Sequence, residues 1–244
     1  KKKQEKIVRS EMELRTQVKK LSLWIFVIPF ITVNLCLFIS VNHSLFDNTF
    51  LSVDQIGRSG PTFPYFDGGV SISRTARTYP TYLIFKPGMI FTSILLITYW
   101  ARTNKIINFY QNLENKNNLF KIFGIVSAVF LIIHSIFLGI KFDYDIYKFF
   151  RRFVLLGFII FEIVAQSLLV YRFFKLKLLM QKDINNNVLI LKIILVTILV
   201  LVAFVSLPII VSSGNTHFKH ALEWDYFAGV ILFYLLTFLF WKKS

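Results

Sequence analysis

Cysteine is nearly absent from this chain. The single Cys36 among 244 residues excludes an intrachain disulfide and a cysteine-rich metal site. Charge is also scarce: Asp, Glu, Lys and Arg make up 17% of the chain, against about 25% in soluble domains. No glycine-rich phosphate loop, nucleophile elbow or zinc signature occurs, so the common nucleotide-dependent, serine-hydrolase and zinc chemistries have no foothold. No internal repeat is visible.

What is present is apolar. Hydrophobic residues make up 55% and aromatics 17%, including 28 Phe, with a mean hydropathy of +0.61. The charges sit between long apolar runs rather than among them. A run that is apolar on every side and about 20 residues long reads as a membrane span, not as an amphipathic core helix. The expected fold is therefore an all-α membrane protein, a six-helix bundle whose spans run over about 21–41, 87–106, 120–140, 149–173, 188–211 and 226–241. The strictly apolar part of the second, Met89 to Trp100, is short, so Tyr82 to Phe85 are expected to extend it.

The net charge of +15 invites a nucleic-acid reading, but the basic residues cluster at span ends, where they set orientation. Lys1–Lys20 carries eight Lys/Arg against three Glu and forms a basic segment whose spacing permits a short amphipathic helix on the membrane surface. A basic start before an apolar run without a small-residue cleavage site reads as a signal-anchor. Counted on alternate sides, one face holds nineteen Lys/Arg and the other nine. The positive-inside bias puts both termini in the cytoplasm, leaving the identity of the membrane open. The loops near 42–86, 141–148 and 212–225 then face outward.

The first outer loop, about 42–86, is too long for a simple connector and rich in turn residues (Gly57-Arg58-Ser59-Gly60-Pro61, Pro64, Gly68-Gly69). It is expected to fold as a cap of ordered loop rather than helix. The alternation in Gly69-Val70-Ser71-Ile72-Ser73 permits strands there.

Polar groups inside spans are costly and are candidate functional residues. Glu162 and Gln166 lie one turn apart in the fourth span, suited to an interhelical hydrogen bond, a headgroup contact or proton carriage. His134 in the third span has the same alternatives, and Asn34 in the first reads as packing glue. The densest titratable cluster is His217-Phe218-Lys219-His220-Ala221-Leu222-Glu223-Trp224-Asp225. In a helix, His217, His220 and Glu223 would share roughly one face. Their spacing suits a polar, aromatic-belted helix start better than a metal site, and no metal or cofactor is expected. In the loop, Arg74 and Arg77 have the forked geometry for a phosphate, or would bind Asp67 or lipid headgroups nonspecifically.

Two motifs carry a family resemblance. Val70-Ser71-Ile72-Ser73-Arg74, then Tyr79-Pro80, Ile84-Phe85 and Gly88, resembles the first-loop signature of the DRAM/Frag/Sfk membrane family. Ala221-Leu222-Glu223-Trp224 with Leu236-Thr237-Phe238 is similar to that family's Glu-Trp motif opening a last span that ends in Thr-Phe. The resemblance implies six spans with the ends inside and a role in lipid biology; the family includes the factor for GPI-anchor lipid remodelling. It points to Ser71, Ser73, Arg74, Pro80, Glu223 and Trp224. A His that family members often carry near the start of the fourth span is replaced here by Lys148-Phe149-Phe150-Arg151-Arg152.

The expected function is binding, or help in remodelling, of a lipid at the outer or lumenal leaflet. Arg74 and Arg77 would meet the headgroup, Glu223 and His220 would position it, and Glu162 and His134 would line the pocket. The alternatives are a non-enzymatic regulator whose basic cytoplasmic segment recruits a protein partner or anionic lipid, and, lowest, a transporter. Arg74 and Glu223 are expected to lie close together.

Overall fold

The computed structural model describes residues 2–110, 118–140, 145–212 and 214–242. Lys1, Lys116, Lys141 and Lys243, all counted in the charge asymmetry, lie outside the described residues. The architecture is all-α, with no strand among the described residues. Six helices are long and apolar enough to cross a membrane. They are α1 (Lys2–Val41), α4 (Tyr82–Tyr110), α5 (Leu119–Phe137), α6 (Asp145–Leu176), α7 (Asn186–Val211) and α8 (Thr216–Phe240). Between α1 and α4 lie two short helices, α2 (Pro64–Asp67) and α3 (Ile72–Ala76), and two 3-10 turns, His43–Phe46 and Gln55–Gly57. An apolar run in lipid has no water to satisfy its backbone, so its N–H and C=O groups must pair along the chain, which makes each run a helix.

The long helices form a ring in chain order, each packed on the next, and α8 closes it against α1. The N-terminal half of α1 and the C-terminal end of α8 meet at one end, where the Lys19 ammonium donates to the Trp241 carbonyl at 2.9 Å. The 42–81 segment covers the opposite end. There α2 packs on α8, and α3 packs on α1 and α8.

Three expectations change. The N-terminal basic segment is not a separate surface helix but the start of α1, continuous with the first span. Its inner face docks on the bundle: Arg15 is ion-paired with Glu11 at 2.9 Å and with Asp183, and the Tyr110 hydroxyl lies between Glu11 and Asp183. The cap holds helices where alternation permitted strands, because the Ser71 hydroxyl accepts the Arg74 amide at 3.2 Å and caps α3. Finally, α8 begins at Thr216, ten residues before the apolar run, because its first three turns pack against the cap.

Lys192, counted from the sequence as a span-end anchor, is fully buried. Its ammonium donates to the Thr237 hydroxyl at 2.8 Å and sits 4.0 Å from the Phe233 ring centroid, with Phe173 and Phe240 at 5.3 and 5.1 Å. No acid pairs with it among the described residues, and three ring faces take the place of a counter-ion. Lys192→Glu sets a carboxylate against those faces and is expected to cost several kcal/mol. Lys192→Met, which keeps the stem and drops the charge, should cost far less. Thermal unfolding in detergent compares the two, and equal losses would contradict the cation–ring account.

Candidate functional site

The two sequence motifs meet at the covered end of the bundle. The Trp224 indole N–H donates to the Val70 carbonyl at 2.8 Å, and its ring packs on Tyr65, centroids 4.9 Å apart. The Glu223 carboxylate accepts from the Ser73 amide at 3.3 Å and from the Ser73 hydroxyl at 3.2 Å. The His220 Nδ1 lies 3.1 Å from the Gly68 carbonyl. Tyr65 donates to Asn34 at 3.3 Å, so Asn34 joins the cap to α1. These contacts latch the cap to α8 and α1. They explain why a polar stretch is helical: its polar groups meet the cap backbone.

The latch depends on close approach. Gly68 has φ +57, and a Cβ there would stand 1.7 Å from the His217 carbonyl oxygen. Asp67 shapes the turn, accepting from the Thr62 hydroxyl at 2.6 Å and from the Phe63 and Gly69 amides, both at 2.8 Å. These donors, the Thr62 hydroxyl first, hold the Asp67 carboxyl below its usual range. A depressed carboxyl contributes stability that is full above its unfolded pKa and is lost as pH falls through the lower folded value. Amide exchange over 62–70 should therefore stay slower than in Asp67→Asn down through about pH 4 and match it only in stronger acid. An advantage already gone well above that pH would contradict the arrangement.

Beneath α3 a cavity of about 70 Å³ runs into the bundle. That is several times the ~10–15 Å³ a single water needs. Its walls come from every long helix except α7 and are almost wholly apolar: Ile25, Val33, Met89, Leu96, Leu131, Phe158, Val230 and their neighbours. Ser73 and Glu223 stand at the cap end. Glu162 and Tyr234 lie deeper, Tyr234 about three turns along α8 from Glu223, or roughly 16 Å. The Glu162 carboxyl is fully buried and bonded from three sides: by the hydroxyls of Ser127 on α5 and Tyr234 on α8, and by Gln166 Nε2 at 3.2 Å. Gln166 also donates to the Val230 carbonyl at 3.2 Å. The interhelical bonds expected of Glu162 are present, and the same carboxyl borders the cavity.

Of the residues nominated from sequence, Ser73, His134, Glu162 and Glu223 line this one cavity. Trp224 and His220 hold the cap, Ser71 caps α3, and Pro80 is buried where the chain turns into α4. His217 and Arg74 are exposed. His217, His220 and Glu223 do not converge: His220 faces Gly68 while Glu223 faces Ser73. The Arg74–Glu223 ion pair does not form; Ser73, one residue earlier, takes the carboxylate. Arg77 turns to a second cavity, described below. Sequence reasoning missed Ser127 and Tyr234, although a hydroxyl inside an apolar run is itself the signal that could have found them. Comparison with known protein families, characterised proteins and solved structures finds no match.

Proposed function

We propose that this is a multi-pass membrane protein that binds a lipid, taking an acyl chain into the cavity beneath the cap with the headgroup at the capped end. The observation that carries the reading is an apolar cavity about three helical turns deep, with polar side chains gathered at its cap end and at its depth. The apolar walls between those polar ends suit hydrocarbon. Ser73 and Glu223 at the cap end are within reach of an ester or hydroxyl of the lipid backbone, and Glu162 with Tyr234 meets the chain's far end. In the orientation that the charge asymmetry favours, with the termini in the cytoplasm, the lipid belongs to the outer or lumenal leaflet. The DRAM/Frag/Sfk resemblance implies the same lipid role, and its two motifs are those that meet at Ser73–Glu223 and Val70–Trp224.

The alternative, recruitment through a free basic segment, gains less support: Arg15 and Lys19 are already engaged within the bundle.

Native mass spectrometry of the full chain, extracted in uncharged detergent, tests the proposal. The wild type should retain a diacyl lipid. Leu131→Trp, which fills the cavity, should lose it, while Ile198→Trp on the exposed face of α7 should keep it. Equal retention by folded samples of all three would overturn the reading.

A further inference from the structure

A second cavity, of about 490 Å³, opens at the capped end between the cap, α4 and α6. It shares no lining residue with the first. Three cations from three separate elements line it: Arg77 after α3, Lys86 in the second turn of α4, and Arg151 near the start of α6. One carboxylate, Asp54, also lines it, and that group accepts the Tyr79 amide at 3.3 Å. No ion pair joins Asp54 or any other acid to these cations among the described residues. Lys86 reaches the Ile136 carbonyl at 3.1 Å, and the Arg151 guanidinium lies 5.9 Å from the Tyr147 ring centroid. The Arg151 Nε is buried with no hydrogen-bond partner. Burial first, then the neighbouring Arg151 and Arg74 charges, lowers the pKa of Arg77, though a guanidinium stays protonated at any working pH.

Three cations facing the single carboxylate of Asp54, with no ion pair to any acid among the described residues, repel one another. That repulsion is relieved if an anion with several acceptor oxygens occupies the space. Two guanidinium forks and one ammonium match a phosphate, which accepts bidentate bonds on more than one edge. Gly139 lets the wall close: with φ +83, its Cβ would stand 2.6 Å from the Arg77 carbonyl oxygen.

We infer that the cavity of Arg77, Lys86 and Arg151 binds a phosphate group, and that the bound molecule is an anionic, phosphate-bearing lipid. The site deepens the lipid-binding reading by naming the headgroup, and it rests on that reading for the source of the phosphate. Lys86 and Phe85 are consecutive in α4, and Arg151 is one turn from Leu155 in α6; Phe85 and Leu155 both line the acyl cavity. A lipid whose chain lay in one cavity would therefore have its headgroup beside the other.

The test uses the full chain in uncharged detergent with three probes: dioctanoyl phosphatidic acid, dioctanoylglycerol and inorganic phosphate. Phosphatidic acid should bind more tightly than dioctanoylglycerol, and added salt should narrow the difference. Arg77→Gln and Arg151→Gln should each weaken phosphatidic acid about ten-fold, the loss of one charge-assisted contact, while leaving dioctanoylglycerol unchanged. Unchanged phosphatidic acid binding in both folded variants, or no preference for it in the wild type, would overturn the site. Inorganic phosphate binding as tightly as phosphatidic acid, and lost in the same variants, would keep the phosphate site and overturn the lipid source. Leu131→Trp separates the two readings, since it should lose dioctanoylglycerol and keep the arginine-dependent preference for phosphate. If neither variant folds, Arg77→Lys and Arg151→Lys apply the same test. Each should bind less tightly than the wild type because the fork is lost, and binding equal to wild type would count against the site.

Discussion

Gly68→Ala is expected to destabilise the protein by on the order of 3 kcal/mol. Two effects add at this position. The backbone is left-handed at φ +57, which an L side chain adopts only with strain, and the new Cβ would stand 1.7 Å from the His217 carbonyl oxygen and 2.6 Å from its carbon. Those atoms belong to the backbone of α8 and cannot rotate away, so the cap must lift from the helix. Lifting it stretches the Trp224–Val70 and Glu223–Ser73 bonds together, because all lie within a few residues of the contact. Thermal unfolding in detergent reads the loss. Gly60→Ala is the control: a Cβ there meets nothing within 4 Å and should leave stability unchanged. Equal midpoints for the two variants would mean that the cap does not depend on close approach to α8.

Glu162→Ala should have an effect of the same order or larger. The carboxyl is fully buried, and its removal strands the Tyr234 hydroxyl and one amide hydrogen of Gln166, while the Ser127 hydroxyl falls back on the Gly124 carbonyl at 2.8 Å. Each buried group left without a partner costs about 1–3 kcal/mol, and the truncation adds a cavity. Glu162→Gln keeps the volume and two polar atoms and should lose much less. The pair separates hydrogen-bond satisfaction from charge: similar, large losses in both would mean that the ionised carboxylate itself is required, and small losses in both would mean that the network does not join α5, α6 and α8.

The six long helices were legible in the sequence because most of the apolar runs approach or exceed the ~20 residues a bilayer demands, and the short second one is extended by Tyr82 to Phe85 at the start of α4. Their ends were less so. Polarity in 217–225 normally marks solvent, but here it marks a second layer of protein, so α8 starts earlier than hydropathy indicates. Alternation in 69–73 could not reveal that the Ser71 hydroxyl would cap a helix. Lys192 looked like an anchor because sequence gives its neighbours along the chain, not the three rings brought to it from α6 and α8. The cost of polar groups within spans did mark Glu162 and His134, and both line the cavity. The arginines misled: charge pairing pointed to Arg74 and Glu223, whereas the carboxylate is held by an uncharged neighbour and Arg77 faces Arg151 across a different space.

The central claim is that a lipid chain enters the bundle. The most direct measurement is photo-crosslinking with a lipid that carries a diazirine along its acyl chain, incorporated with the full protein into vesicles and mapped by peptide mass spectrometry. Labelling is expected at Met89, Leu131, Phe227 and Val230, which line the cavity, and is expected to fall in Leu131→Trp. Labelling confined to the exposed residues Phe91, Ile94 and Ile198, unchanged by that substitution, would place the chain in the surrounding lipid and contradict the account.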